Sequence, residues 1–292
     1  MPTIAGPVLI TGCSSGIGRA ITTHLLSRGH QVYASARHPE SLADLASAGA
    51  LTTTIDVTDE ESMAKAVAEI EASHGQVGAL INNAGFAEYG PVETVPMPQA
   101  RDQFETNFFG LARMCQLVLP GMRRAGSGHI INISSVGGRM AFPGGGVYNA
   151  SKFAVEGWSD SLRFETSPFG IFVTVVEPNL IRNTRFEDHV GASLARNTPE
   201  TGPYRELRKA IGDQMGRCFT SDKMASPPAA VAATVGRALR ARRPRSRYVV
   251  SPSGRFLVGS RRFLPDRIWD DILRRQFGLT RSGNYTGKYA NV

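Results

Sequence analysis

Tyr148 and Lys152, in the run Tyr148-Asn149-Ala150-Ser151-Lys152, carry the most direct chemical signal in the chain. On a helix, positions i and i+4 share a face, so the phenol and the ammonium can address one ligand. A phenol with a pKa of ~10 is a poor proton donor or acceptor near neutrality unless a positive charge favours the phenolate. Lys152 is placed to supply that charge. Tyr-x-x-x-Lys pairs also arise by chance on amphipathic helices, so the pair gains meaning only from what accompanies it.

A glycine-rich stretch near the start accompanies it: Thr11-Gly12-Cys13-Ser14-Ser15-Gly16-Ile17-Gly18. Glycines let the backbone turn tightly and approach a pyrophosphate, which then sits on the N–H groups of a helix N-terminus. Here Gly12, Ser14, Ser15, Gly16, Ile17 and Gly18 form the candidate cradle. Their spacing is G-x-x-x-G-x-G rather than the more familiar G-x-G-x-x-G. Roughly 20 residues on, an acid would read the ribose 2′-hydroxyl of NAD and an arginine the 2′-phosphate of NADP. The sequence there is Ala34-Ser35-Ala36-Arg37, with no acid before Glu40. The planar cation of Arg37 suits a phosphate, so NADP(H) is expected over NAD(H).

These residues need elements to hold them, and the chain supplies an alternation. Strands are predicted at Pro7–Thr11, Gln31–Ala36, Leu51–Ile55, Ala79–Asn82, Ile130–Ser134 and Ile171–Val176. Helices are predicted over Ile17–Leu26 and about 39–48, then from a Thr58/Glu61 capping box to His74, and over about 99–125 and 148–166. Strand–helix alternation of this length means βαβ units. The expected fold is α/β, a single Rossmann-type doubly wound parallel sheet with helices on both faces and a C-terminal helical extension. Residues 1–250 are read as one nucleotide-binding catalytic domain and 251–292 as a basic extension packed on or near it. Residues 185–225 are polar and punctuated by Gly and Pro, which predicts a substrate loop. Ala229–Leu239 reads as a helix, Arg247–Val250 as a last strand and Arg261–Phe277 as one amphipathic helix.

Composition narrows the classes further. With 41% hydrophobic and 8% aromatic residues, the 292-residue chain is neither disordered nor fibrous. No apolar run approaches the ~18 residues of a membrane span, and Met1–Ile10 lacks the basic start and cleavage site of a signal peptide. Cys13, Cys115 and Cys218 are odd in number and far apart, which fits a reducing cytoplasm and no disulfide framework. They have no metal-ligand spacing, the six histidines form no cluster, and no metal is expected. The net charge of +8 is uneven: residues 1–236 hold 19 basic and 22 acidic residues, whereas 237–292 hold 14 and three. The basic end is read as an Arg-rich solvated surface. Nucleic acid is not expected, and contact with a membrane surface is the less favoured alternative.

Taken in order, Thr11–Gly18, Asn82-Asn83-Ala84-Gly85, Asn107, Ser134-Ser135 and Tyr148-x-x-x-Lys152 resemble the motifs of short-chain dehydrogenases/reductases over about residues 5–185. Val32–Arg37, Ser135–Gly138 and Ser151–Ala154 are further similar to the branch holding estradiol 17-beta-dehydrogenase and retinol dehydrogenases. The resemblance implies that Tyr148 is the general acid for reduction and base for oxidation, and that Lys152 binds the nicotinamide ribose and lowers the Tyr148 pKa. It implies that Ser135 orients the substrate oxygen and that Asn107 completes a tetrad through a water relay. By the same resemblance Asp56 and Val57 contact the adenine, Asn83, Ala84 and Gly85 floor the cofactor site, and Pro178 and Ile181 flank the nicotinamide. The family's Pro-Gly after the sixth strand reads Pro178-Asn179 here, and Asn179 can take a left-handed turn nearly as glycine does. Either Asn183 or Thr184 is left to hold the carboxamide.

The substrate positions implied by the resemblance, Phe86, Met140, Phe142, Val147 and parts of 185–220 beside Ser135, are largely apolar. They favour a hydrophobic carbonyl or alcohol such as a steroid, retinoid or aliphatic carbonyl. The alternatives are a polar or carrier-bound ketone, of sugar or 3-oxoacyl type, and a non-catalytic NADP-sensing protein; intact Tyr148, Lys152 and Ser135 weigh against the last. A homodimer or homotetramer is implied by the resemblance, with Val155, Trp158 and Leu162 as a candidate stripe.

Overall fold

The structure is a computed structural model and describes residues 4–279. The chain begins with β1 (Val8–Ile10), α1 (Gly16–Leu26), β2 (Val32–Ala36), a short α2 (Ala43–Ser47) and β3 (Leu51–Thr54). It continues through α3 (Glu60–His74), β4 (Ala79–Asn82), α4 (Met97–Phe104), α5 (Gly110–Ala125) and β5 (Gly128–Ile133). Then come α6 (Gly146–Thr166), β6 (Ile171–Glu177), β7 (Leu180–Ile181), α7 (Arg185–Asn197) and α8 (Arg205–Thr220). It closes with β8 (Ala225–Ser226), α9 (Pro228–Arg240), β9 (Arg247–Val249), α10 (Pro252–Phe263) and α11 (Asp266–Gln276).

Seven strands form one parallel sheet in the order β3-β2-β1-β4-β5-β6-β9. Leu9, Ile10, Leu80, Ile81, Ile130 and Ile131 are fully buried, as expected for strands covered on both faces. On one face Ile21 and Leu25 of α1 pack with Val231 and Val235 of α9. On the other, α3, α5 and α6 contribute Met63, Val67, Met114, Val118, Val155 and Leu162. Strand order reverses between β1 and β4, and in such sheets ligands lie in the crevice beyond the carboxyl ends at that point.

The predicted strands and the first helix are found within a residue or two, and several other expectations are corrected. Thr58 does not cap α3: the Asp59 carboxylate accepts from Glu61 and Ser62 N–H, while Thr58 donates to Asp56. The long helix at 99–125 is interrupted by a π-helical turn at Glu105–Phe109. Residues 185–225 are not a loop, because α7 and α8 occupy most of the stretch. The helix expected over Arg261–Phe277 is two helices parted at Leu264-Pro265, since proline lacks the N–H needed to continue the first. Val155 and Leu162 face the sheet with Trp158 against them, so that stripe is core rather than a contact for a second subunit. Among the described residues no helix is long and apolar enough to cross a membrane, and no group of three metal-ligating side chains occurs.

Candidate active site

The glycine-rich turn joins β1 to α1 at the carboxyl edge of the sheet. Gly12 and Gly16 sit at φ +72° and +56°, a region that L side chains rarely adopt. A Cβ on Gly12 would come 2.9 Å from the Cα of Ala84. Asn83 holds the turn down, donating from Nδ2 to the carbonyls of Thr11 (2.9 Å) and Gly12 (3.0 Å). The Thr11 hydroxyl in turn accepts from the N–H of Asn83 and Ala84, both at 3.0 Å. Helix α1 then starts with no side-chain cap from Ser15 and no acid in its first turn. Its free N–H groups are therefore open to an anion.

From this turn runs a cavity of about 480 Å³. Its walls include Gly12, Ser14, Ser15, Gly16 and Ile17, then Arg37, Asp56 and Val57 at the ends of β2 and β3, then Asn83, Ala84 and Gly85 after β4. Gly18 is buried behind it under the turn rather than in its wall. Arg37 is exposed at the rim. The Asp56 carboxylate accepts from both the N–H (3.0 Å) and the hydroxyl (2.7 Å) of Thr58, which fixes the floor of this end. The uncapped helix start, the glycine cradle and the outlying cation together fit a phosphate-bearing dinucleotide.

A second, mostly apolar cavity of about 320 Å³ adjoins it, sharing Ile17, Asn83, Gly85, Phe86, Thr184 and Phe186. Ser135, Tyr148, Lys152, Pro178, Ile181 and Phe142 line it with them. Tyr148 and Lys152 stand one turn apart on α6, the ammonium 6.0 Å from the phenol ring centroid. Lys152 Nζ donates to the Ile133 carbonyl at 2.9 Å. A Cβ placed on Gly137 would be 3.3 Å from Ser135 Oγ and 3.4 Å from Tyr148 Cε1, so serine and tyrosine converge on that glycine. Ser134, its neighbour, lines the same wall with a buried, unpartnered hydroxyl.

Asn107 lies in the π-helical turn, an irregularity that recurs at functional sites. Its Oδ1 accepts from Phe86 N–H at 3.0 Å, and its Nδ2 donates to Phe86 O at 2.9 Å and Ser151 Oγ at 3.2 Å. A Cβ on Gly85 would sit 2.9 Å from Asn107 Oδ1 and 3.8 Å from Lys152 Nζ, so the two groups meet over that glycine.

Burial dominates the electrostatics. It pushes the Tyr148 phenol up to about 12, with the Ser135 hydroxyl pulling the other way. It lowers Lys152 to about 8, opposed by the negative charge of Glu156 one turn further along α6. The lowering of Tyr148 expected from Lys152 is not found: burial and the Ser135 hydroxyl are what act on the phenol.

Other expectations on the substrate side change. Met140 is buried in a cluster with Val136 and Trp269 behind the wall, and neither it nor Val147 lines the cavity. Asn179 is not left-handed; its amide ties to Met224 O and Ser253 Oγ. Asn183 takes that conformation instead, at φ 58°. Thr184 lines both cavities and Asn183 neither. The stretch 185–220 does reach the cavity, through Phe186, whose ring lies 5.5 Å from that of Tyr148, while Tyr89, at 6.1 Å, was missed in the sequence. The far wall comes from α8, α10 and α11 through Ile211, Met215, Leu257 and Trp269.

Known proteins resemble this chain over most of its length. The short chain dehydrogenase family model covers residues 7–194. An uncharacterized oxidoreductase of Escherichia coli, YbbO, is 37% identical over 91% of this chain and 93% of its own. The 3-ketodihydrosphingosine reductase of Bacteroides thetaiotaomicron is 36% identical, covering 91% and 96%. The NADPH-dependent 3-dehydrocapnine reductase of Ornithobacterium rhinotracheale is 33% identical, covering 90% and 94%. Among solved structures, a short-chain dehydrogenase from Streptomyces avermitilis superposes with a TM-score of 0.76 at 32% identity, covering 91% of this chain and 96% of that one.

Proposed function

Because the chain belongs to the short-chain dehydrogenase family, we propose that this oxidoreductase is NADP(H)-dependent and interconverts a carbonyl and an alcohol on a hydrophobic substrate. The observation that carries the reading is the convergence of Ser135, Tyr148 and Lys152 in an apolar cavity that adjoins the one lined by the glycine-rich turn and Arg37. The phosphates would rest on the Gly12–Gly18 turn and the start of α1, and Arg37 would take the 2′-phosphate. Asp56 and Val57 would bound the adenine, while Pro178, Ile181 and Thr184 would flank the nicotinamide. When bound, the nicotinamide supplies the hydride and, once oxidised, a positive charge beside the phenol.

The chain's own groups control orientation and the proton. In reduction, Ser135 donates a hydrogen bond to the substrate oxygen and Tyr148 delivers the proton to it. In oxidation Tyr148 removes the hydroxyl proton. Lys152 contributes positive charge beneath the phenol, favouring the phenolate left behind. Asn107 holds the Phe86 backbone and Ser151, and so fixes the wall against which Lys152 works.

For the substrate, the mainly apolar cavity with Phe86 and Phe142 in its wall supports the hydrophobic class. Two relatives named as reductases of 3-keto and 3-dehydro compounds favour an aliphatic ketone within it, ahead of the steroid and retinoid suggested by the branch resemblance. We extend the reading to one catalytic domain over residues 1–250 with 251–292 as its extension, and to a homodimer or homotetramer. Phe153 and Phe164, exposed on the outer face of α6, support an assembly. The test is a panel of long-chain 3-ketones, steroids and retinoids with NADPH or NADH oxidation followed. Turnover of an aliphatic ketone with NADPH preferred is the expected result; equal or better use of NADH would overturn the cofactor assignment.

A further inference from the structure

After β9 the chain leaves the sheet and forms α10 and α11, which wall the apolar cavity on the side away from the glycine turn. Their inner faces bring Leu257, Leu264, Trp269 and Leu273 to it. Their outer faces are unlike the rest of a solvated surface. Phe256 and Phe263, two helical turns apart, are 74% and 81% exposed, and Ile268 and Ile272, one turn apart, are 49% and 43% exposed. Phe256 and Ile272 also belong to the cavity wall, so the exposed apolar edge is continuous with the cavity mouth. Apolar groups gathered this way on a surface mark a contact site.

The charge around them indicates what is contacted. Arg255 and Arg262 repeat the same seven-residue spacing one position before the two phenylalanines, and both are exposed. Arg261 and Arg274 are paired with Asp266 and with Asp270 and Asp271, which fixes the helices themselves. Arg255, Arg262, Arg267 and Arg275 make no ion pair among the described residues. Aromatic and aliphatic side chains beside uncompensated arginines, on short helices far from membrane-spanning length, match an interfacial helix. They complement a surface that is anionic at its headgroups and apolar just beneath.

We propose that α10 and α11 form a docking surface for an anionic lipid bilayer, with Phe256, Phe263, Ile268 and Ile272 entering the interfacial zone between arginine-bound headgroups. The mouth of the substrate cavity then faces the lipid, and an apolar substrate enters without crossing water. The docking stands independently of the reaction assigned above.

Vesicle co-sedimentation of the full chain tests this, comparing phosphatidylcholine with phosphatidylcholine–phosphatidylglycerol at low and high salt. Binding to the anionic vesicles is expected to exceed that to the zwitterionic ones by about tenfold or more and to fall as salt screens the headgroups. Phe263→Ser and Arg262→Glu, neither of which lines the cavity, should each weaken binding severalfold while turnover of a short water-soluble ketone is unchanged. Equal retention by both vesicle types, no retention, or binding untouched by both substitutions would overturn the proposal. So would a concentration-dependent dimer that Phe263→Ser abolishes, because the surface would then belong to a second copy of the chain.

Discussion

Lys152 is held between two opposing influences, burial that strips its proton and the Glu156 carboxylate that retains it. Its pKa of about 8 lies within reach of ordinary buffers, whereas Tyr148, at about 12, keeps its proton throughout that range. The kcat/KM for the coenzyme, which reports the free enzyme, should therefore fall as pH rises through about 8. Removing the negative charge with Glu156→Gln lowers the lysine pKa further, so that limb should move to lower pH; an unmoved limb would separate Glu156 from Lys152. At the other end of the site, Arg37→Ala should weaken NADPH by about 10- to 100-fold, the worth of a charge-assisted hydrogen bond, and leave NADH nearly unchanged. Titrating coenzyme fluorescence measures both. The residues behind these predictions were legible because their spacing is local: a phenol and an ammonium one turn apart, and glycines crowded into a single turn. Tyr89 and Trp269 were not, because each reaches the cavity from a distant segment and nothing beside it in sequence marks the meeting.

The elements that carry chemistry were read well where apolar runs are short and β-branched, as in β5 and β6, and poorly where they are sparse. Helices α7 and α8 did carry a signal. Phe186, Val190 and Leu194, then Leu207, Ile211 and Met215, recur every fourth residue, a narrow stripe that lies against Tyr89 and Tyr148 while the remaining faces stay polar. That single-file pattern is easily taken for a loop when glycines and prolines stand nearby. The π-helical turn at Glu105–Phe109 left no sequence mark at all, since it depends on how Asn107 is fastened to Phe86 and Ser151. Asn183 makes the turn into α7 in a left-handed conformation that β-branched residues avoid. Asn183→Val should cost about 1–2 kcal/mol of stability. Because Thr184 follows it in the cofactor wall, coenzyme affinity should weaken as well. Denaturant unfolding and coenzyme titration of the same variant check the two effects.

Across the whole molecule, β9 is tied to α6 and β6 by a partly buried charge cluster as well as by its pairing with β6. Arg247 on β9 donates from Nε to Glu156 at 2.9 Å and from Nη2 to Asp160 at 2.6 Å, and its Nε lies 3.4 Å from Glu177. Arg139 reaches the same Glu177 at 3.0 Å. The Glu177 side chain is 0% exposed, and burial with the nearby Glu156 charge raises its carboxyl from 4.5 to about 7. A raised acid binds its proton in the folded state first, so its contribution is present at low pH and lost as pH climbs through about 7. The stability of the protein relative to Glu177→Gln should accordingly decline between about pH 5 and 8, read from denaturant midpoints; a constant difference would contradict the linkage. The uneven charge was visible in the sequence, but not that β9 brings a half-buried arginine from the basic part onto the carboxylates of α6 and β6. In the proposed reaction Tyr148 moves the proton for hydride transfer at a bound coenzyme. NADPH oxidation by the wild-type protein and Tyr148→Phe with a long-chain ketone tests it, with coenzyme binding measured on the same samples by fluorescence. NADPH binding is expected to be unchanged and turnover to fall by about 10²- to 10⁴-fold in the variant. Turnover within a few-fold of wild type, with NADPH still bound, would contradict it.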